Sequence, residues 1–192
     1  MHKKVFIFLF DGFSDWEIAF LSPEIKKSQS IELIYFSSTG QAVSSMGGLQ
    51  VMPNVSLEQI DPQEVDLLVL PGGSAWERNK NNEIETLVKS LVENKKSIAA
   101  ICAATTYLGK LGLLNQIKHT SNALHYLQSI APQYTGAVNY TDALATSSRH
   151  IITANGIAPI EFAKEIFLQL ELYDLATIEK WFQLFKNGIW KV

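Results

Sequence analysis

Cysteine is scarce in this chain: Cys102 is the only one among its 192 residues. An internal disulfide is therefore excluded, and a cysteine-rich metal site is disfavoured. Long apolar runs are missing too, since the opening stretch Val5–Phe10 is far too short to span a bilayer. No small-residue cleavage site follows that stretch, so it is interpreted as a first strand rather than a signal peptide. We therefore predict a cytoplasmic protein that contains no metal and does not associate with a membrane.

Neither sign of charge is in large excess. Sixteen Lys and Arg residues against nineteen Asp and Glu residues leave a formal net charge of −3 at pH 7. This balance gives no reason to expect binding to nucleic acid or to an anionic membrane surface. Hydrophobic residues make up 47% of the chain and charged residues 18%, which is typical of globular proteins. The length is most simply explained by a single domain over residues 1–192, and no internal repeat or linker divides it.

Short apolar runs alternate with stretches of helical periodicity along the chain. The predicted strands are Val5–Phe10, Ile31–Phe36, Val65–Leu70, Ser97–Ile101 and Ile151–Ala154, with hairpins expected within residues 41–54 and 132–155. The predicted helices are Trp16–Lys27, capped by Ser14 or Asp15, then Asn82–Glu93, a helix from Ala103 that stops at Gly112, Ala123–Ile130, Pro159–Leu172 and Leu175–Phe185. This alternation predicts a three-layer α/β/α sandwich around a mostly parallel sheet.

Cys102 lies at the junction between the predicted strand Ser97–Ile101 and the helix that follows it. The small neighbours Ala100, Ala103 and Ala104 leave room for a sharp turn, which is the architecture of a nucleophile elbow. The free N–H groups and the dipole of the helix would favour a thiolate there. A lone cysteine in an apolar run is also commonly a packing residue. A reactive thiol of lowered pKa and a buried packing side chain therefore both remain open.

Functional residues of parallel α/β sheets gather at the carboxyl ends of the strands. Glu17 follows the first strand, the pair Gly72-Gly73 follows the third, and Cys102 follows the fourth. The N–H groups of the glycine pair and of Ala103 could stabilise a developing oxyanion, although a glycine pair also suits a tight turn. Glu17 could equally be an ordinary acid in the first turn of a helix.

Three motifs together resemble a known family: Asp11-Gly-Phe-Ser-Asp-Trp-Glu17, Leu70-Pro-Gly-Gly73 and Ala99-Ala-Ile-Cys-Ala103. They are similar to those of the ThiJ/PfpI superfamily, and the likeness extends to Asn155-Gly-Ile-Ala-Pro-Ile-Glu-Phe-Ala163 near the end of the chain. The resemblance implies a flavodoxin-like fold of the class I glutamine amidotransferase type and, commonly, a homodimer. It also implies that Cys102 is the elbow cysteine and that Glu17 contacts its thiol. Gly73 and Ala103 would supply the oxyanion-side backbone.

Two positions depart from the pattern of the resembled family. In its peptidase-like branch a histidine follows the cysteine directly, where this chain has Ala103. Other members place a histidine after the helix that follows the elbow, and the matching position here is Ser121. His119 lies two residues earlier and would share a strand face with that position, so it is an accessory candidate beside Ser121. A solvent-facing or capping role for His119 is equally open.

Two classes of function remain open. In the first, Cys102 is the nucleophile and Glu17 the proton-transfer partner of a cofactor-free enzyme. That enzyme would be an amidase-like hydrolase or a glyoxalase-like enzyme acting on small reactive carbonyl substrates. In the second, the chain is a non-enzymatic redox-sensing or chaperone-like stress protein whose Cys102 is oxidised to the sulfinic acid and held by Glu17. Because no histidine occupies the motif positions, we expect little peptidase activity.

Overall fold

The computed structural model describes residues 3–190 as a seven-stranded sheet covered by helices, with a separate two-stranded hairpin. The strands are β1 (Lys3–Phe8), β2 (Ile31–Ser37), β3 (Val43–Ser44), β4 (Gln50–Val51), β5 (Val55–Ser56), β6 (Leu67–Leu70), β7 (Ser97–Ile101), β8 (Ala145–Ser148) and β9 (Ile151–Ala154). The helices are α1 (Leu21–Lys27), α2 (Glu85–Glu93), α3 (Ala104–Lys110), α4 (Leu124–Ile130), α5 (Pro159–Leu170) and α6 (Leu175–Asn187). The predicted α/β/α sandwich with a flavodoxin-like, mostly parallel sheet is confirmed.

The sheet order is β5-β2-β1-β6-β7-β9-β8, and within residues 3–190 all neighbours pair in parallel except β8 and β9. The central strands β6 and β7 are buried along their whole length because helices cover both faces of the sheet. This explains why Ser97–Ile101 is an almost continuous apolar run. The parallel arrangement brings the carboxyl ends of β1, β6, β7 and β9 to one edge of the sheet, where Leu70 pairs with Ala100 and Ile101 with Ala154.

Both predicted hairpins are present. Within residues 41–54, β3 and β4 pair antiparallel, with Val43 opposite Val51. Within residues 132–155, β8 and β9 pair antiparallel around a turn at Arg149-His150, where Arg149 has a φ of 56°.

The predicted helix Trp16–Lys27 is wrong in its first half. A short 3₁₀ turn, Asp15–Glu17, is followed by α1, which begins only at Leu21. Pro23 explains the late start, because a proline in the interior of a helix removes a hydrogen bond and clashes with the preceding turn. In α1 it lies in the first turn, where its missing N–H needs no partner.

Ser14 and Asp15 do not cap a long helix. Ser14 makes no side-chain capping bond to the 3₁₀ turn. The Asp15 carboxylate accepts instead from Ser45 Oγ at 2.6 Å and from the Gly47 N–H at 3.2 Å. These contacts tie the loop after β1 to the β3–β4 hairpin.

The described part of the chain contains no helix long and apolar enough to cross a membrane.

Candidate active site

Cys102 forms the turn between β7 and α3. Its φ of 59° is in the left-handed region, which L residues other than Asn and Asp adopt rarely. Its backbone N–H still donates to the Ala154 carbonyl at 2.9 Å, and the Thr105 hydroxyl donates to the Cys102 carbonyl at 2.6 Å. The turn is therefore held from β9 on one side and from α3 on the other.

Glu17 is completely buried beside the thiol. Its Oε2 accepts the Gly72 N–H at 2.5 Å, and its Oε1 has no hydrogen-bond partner in the described chain. Burial raises the pKa of Glu17 from 4.5 to about 7, against opposing contributions from the Gly72 N–H, the Cys102 thiol and the Ser14 side chain. Near neutral pH this carboxyl can therefore both accept and donate a proton.

The Cys102 thiol is protonated at rest. Burial, followed by the negative charge of Glu17, raises the pKa of Cys102 to about 11. Hydrogen bonding by the Asn122 side chain and the Ala103 N–H acts in the opposite direction but is weaker. The predicted lowering of this pKa by the helix N-terminus is therefore wrong, because the loss of hydration and the neighbouring carboxylate outweigh the helix dipole.

Asn122 is the side chain that donates to the sulfur. Its Nδ2 lies 3.4 Å from Sγ, and its Oδ1 accepts the N–H of Gly156 at 2.9 Å. The side chain of Asn155 fixes the same segment by donating to the Asn122 carbonyl at 3.0 Å. The helix predicted from Ala123 begins one residue later, since α4 starts at Leu124 without a side-chain cap.

Two glycines let the backbone approach the thiol closely. A Cβ atom on Gly156 would lie 2.7 Å from Sγ, and one on Gly72 would lie 2.7 Å from the Cβ of Cys102. Gly73 serves a different contact: its φ is 144°, and a Cβ there would lie 2.6 Å from the Gly12 carbonyl oxygen. The close neighbour of the thiol is therefore Gly72, and its N–H is already taken by Glu17.

Ala103 lies where the elbow prediction needs it. It is the residue before α3, it is buried, and its N–H faces the sulfur. Its role in stabilising an oxyanion, and that of Gly73, stay predictions.

His119 does not reach the thiol. It is fully buried, with Nδ1 2.8 Å from the Ile117 carbonyl oxygen and Nε2 2.6 Å from the Tyr134 hydroxyl. Burial lowers its pKa, so the ring is neutral near pH 7. Backbone bonds to Asn139 and Thr141 hold this residue against the 139–141 segment, away from Cys102.

Ser121 contacts the elbow indirectly, through Thr105. Its Oγ lies 2.6 Å from the hydroxyl of Thr105, which in turn bonds the Cys102 carbonyl. The residue that matches the family's downstream histidine is thus a buried hydroxyl that braces the backbone.

Gly156 and Asn122 lie against the thiol and are not among the site residues predicted from the sequence. A signal for Gly156 was present, since Asn155-Gly156 follows the carboxyl end of β9 and the rule applied to the other strands points there too. No comparable signal marks Asn122, which depends on the path of the loop after α3. Among residues 3–190 no group of three or more His, Cys, Asp or Glu side chains could hold a metal ion.

Comparison with known proteins identifies the family of this chain. A model of the DJ-1/PfpI family matches residues 3–169. A Bacillus subtilis protein named as an uncharacterized protease is 34% identical over 96% of this chain and 91% of its own length. A protein of Thermococcus kodakarensis named as a deglycase is 31% identical over 77% of this chain and 90% of its own.

Solved structures give the same result. A DJ-1 superfamily protein of Agrobacterium tumefaciens superposes with a TM-score of 0.89 and 36% identity, covering 97% of this chain and 98% of that one. A ThiJ/PfpI family protein of Bacillus anthracis superposes with a TM-score of 0.91 and 32% identity, covering 98% of this chain and 92% of that one. The resemblance predicted from the motifs is confirmed, and the chain belongs to the DJ-1/PfpI family.

Proposed function

We propose that this chain is a cofactor-free, cysteine-dependent enzyme acting on small carbonyl electrophiles, with 2-oxoaldehydes as the substrate class. One observation carries the proposal. The Cys102 thiol lies against a buried carboxyl, Glu17, whose pKa is about 7, and no imidazole contacts either group among the described residues. A base with that pKa suits proton transfer at neutral pH.

The first step would be addition of Cys102 to the aldehyde carbon. As the S–C bond forms, the carbon–oxygen π bond breaks and the thiol proton passes to ionised Glu17. Glu17 then returns that proton to the new alkoxide, which gives a neutral hemithioacetal and leaves Glu17 ionised again. The alkoxide that develops faces the Ala103 N–H, and Gly73 is the second proposed donor. Because the proton moves during attack, a thiol that is protonated at rest is compatible with this chemistry.

The later steps use the same carboxyl. Glu17 would move a proton from the former aldehyde carbon to the neighbouring carbonyl carbon, while the hydroxyl proton of the hemithioacetal passes to the oxygen of that neighbouring carbonyl. The product is a thioester of a 2-hydroxy acid. Water would then hydrolyse the thioester and release the thiol. The aldehyde carbon is oxidised while the adjacent carbonyl carbon is reduced, so the sum is the 2-oxoaldehyde plus water giving the 2-hydroxy acid. No external oxidant or reductant is needed.

Peptide hydrolysis is less well supported. Expelling an amine requires a proton donor for the leaving nitrogen, and histidine usually provides it. His119 is held by Ile117 and Tyr134, and Ser121 is bonded to Thr105. The close approach of Gly72 and Gly156 to the cysteine also favours a small substrate. The deglycase name carried by one relative fits carbonyl chemistry.

The experiment is a substrate panel of methylglyoxal, phenylglyoxal, a peptide amide and a small amide. We expect turnover of the oxoaldehydes, its loss in Cys102→Ser and at least a hundredfold decrease in Glu17→Gln. His119→Gln is the matched control and should retain turnover in its folded fraction. Cys102-dependent peptide cleavage at ordinary enzyme rates, with oxoaldehydes untouched, would overturn the proposal.

A redox role is favoured by one separate observation. Glu17 Oε1 is buried without a hydrogen-bond partner in the described chain, and the Glu17 side chain interacts with the Cys102 thiol, so a protonated Glu17 could donate to a sulfinate on Cys102. Mild peroxide should then add two oxygen atoms to the wild-type protein and stop there. Intact-mass spectra that run directly to three oxygen atoms would count against this second function.

The homodimer also remains a proposal. The β3–β4 hairpin and the residues beside it expose Met46 by 51%, Leu49 by 58% and Met52 by 70%. Exposed apolar side chains grouped in this way are typical of contact surfaces. Light scattering on Leu49→Glu against the wild-type protein would test whether this hairpin holds two copies together.

A further inference from the structure

A cleft lies at the end of the sheet opposite Cys102. Its volume is about 690 Å³, and it is bounded by the end of α2, the segment that follows α3 and the turn between β8 and β9. β7 begins beside it and ends at the cysteine. A strand of five residues spans roughly 17 Å, so the cleft is well separated from the thiol.

Cationic side chains line this cleft without acidic counterparts. Lys95, Lys96 and Arg149 are among the lining residues, and none of the lining residues is Asp or Glu. Lys96 is committed elsewhere, since its Nζ donates to the Gln63 carbonyl at 3.0 Å and lies 3.6 Å from Asp66 Oδ1. Lys95 and Arg149 form no ion pair with any residue that the structure describes.

Both unpaired cations occupy strained backbone positions. Lys95 has a φ of 55° and Arg149 a φ of 56°, in the left-handed region where glycine is the least strained residue. Two separate turns thus each place a long cationic side chain at this cleft where glycine would fit the backbone better. Such outliers are a reason to look for a function at the position.

The rest of the lining mixes apolar side chains with the polar residues Asn115, Gln116, Ser148 and His150. Val92, Leu113, Ile117 and Ile151 contribute carbon surface between the two turns. The volume falls within the range of small-molecule pockets, which combine apolar walls with a few polar groups that fix orientation.

We propose that this cleft binds a small organic anion with an apolar body, a carboxylate or a phosphate monoester. The head group would pair with Lys95 and Arg149, whose guanidinium can grip it with two parallel hydrogen bonds. The body would cover the carbon surface of Leu113 and Ile117. An inorganic anion would leave the carbon surface of Leu113 and Ile117 in contact with water, and a neutral ligand would not form ion pairs with Lys95 and Arg149. This inference does not depend on the activity proposed for Cys102.

Calorimetric titrations with octanoate, octyl phosphate, octan-1-ol and inorganic phosphate test the proposal. We expect saturable binding of octanoate or octyl phosphate that weakens with added salt, and the tighter of the two identifies the head group. Octan-1-ol and inorganic phosphate should bind at least tenfold more weakly. Inorganic phosphate binding as tightly as either octyl compound would overturn the proposal, as would no saturable binding of the octyl anions.

Glycine substitutions provide variants that should fold. Arg149→Gly and Lys95→Gly each remove a cation and relieve the left-handed strain, and each should weaken octanoate binding about tenfold. Lys80→Ala, which removes an exposed cation at the other sheet edge, is the matched control and should bind like the wild-type protein. Binding unchanged in both glycine variants, or amide shifts confined to the Cys102 edge in NMR spectra, would contradict the assignment.

Discussion

The side-chain amide of Asn122 points its Nδ2 at Sγ of Cys102 across 3.4 Å. The orientation is fixed, because Oδ1 of the same amide accepts the N–H of Gly156. An amide can stabilise a thiolate by donating to it but cannot take up its proton. Of the Asn122 and Glu17 side chains, only the Glu17 carboxylate can take up that proton, whereas the amide can only stabilise a negative charge on the sulfur.

Replacing Asn122 by Asp should slow thiol alkylation. The new carboxylate has the same shape but removes the donor and puts a negative charge beside the sulfur. The thiolate population at pH 8 should fall about tenfold or more, since a hydrogen bond to a charged group contributes about 1.5–3 kcal/mol. Iodoacetamide rates measure it, with Asn94→Asp on the exposed end of α2 as the control. Equal rates in Asn122→Asp and wild type would show that the amide is not a donor to the thiolate.

Glu17→Gln should shift the alkylation profile toward lower pH. In the wild-type protein the charge of Glu17 helps to raise the pKa of Cys102 to about 11. The glutamine keeps an acceptor for the Gly72 N–H and removes the charge, so the midpoint should fall. The wild-type midpoint itself should lie above about 8.5, the value of a free thiol. A wild-type midpoint below that value, or one that rises in Glu17→Gln, would refute the electrostatic account.

The same substitution should change stability in a pH-dependent way. The pKa of Glu17 is raised from 4.5 to about 7 in the folded chain, so folding favours its protonated form. Its contribution is complete below about pH 4.5 and is lost as the pH rises through 7. Glu17→Gln should therefore gain about 3 kcal/mol over wild type between pH 4.5 and pH 8. Urea unfolding at the two pH values measures this difference, and a constant gap between the two proteins would contradict it.

His119→Phe should destabilise the fold and spare the thiol. The substitution leaves the Tyr134 hydroxyl without its 2.6 Å partner in a buried site. We expect a loss of about 2–3 kcal/mol in the free energy of unfolding. Alkylation of Cys102 in the folded protein should remain within about twofold of wild type, because His119 does not reach the thiol. A rate change of that size corresponds to well under 1 kcal/mol. A large loss of thiol reactivity in the folded variant would instead identify His119 as a base.

The sequence predicts the parts of the site that depend on the sheet. A buried parallel strand is a continuous apolar run, so Ser97–Ile101 could be located to the residue, and Cys102 with it. The rule that strand carboxyl ends meet at one edge then brings Glu17 and the glycine pair to the same place. Pro23 also indicates the late start of α1, although the helical periodicity on both sides of it predicts one continuous helix.

Other parts depend on contacts between distant segments. The amide of Asn122 meets Gly156 across 34 positions, and His119 turns away because its backbone bonds the 139–141 segment. Neither contact produces a periodic pattern in the sequence from which it could be predicted. The pKa of Cys102 reflects a competition between the helix dipole and burial. The extent of burial is known only from the three-dimensional structure.

The left-handed backbone at Cys102 carries a consequence for how this protein would evolve. A side chain in that conformation costs about 1–2 kcal/mol relative to glycine, which has no such penalty. A library randomised at this codon and selected only for heat resistance should therefore enrich glycine and discard the sulfur. At this position the chain keeps a strained cysteine where glycine would fit the backbone better. Selection for survival after heating would thus favour glycine at this codon, whereas selection for thiol chemistry would favour cysteine.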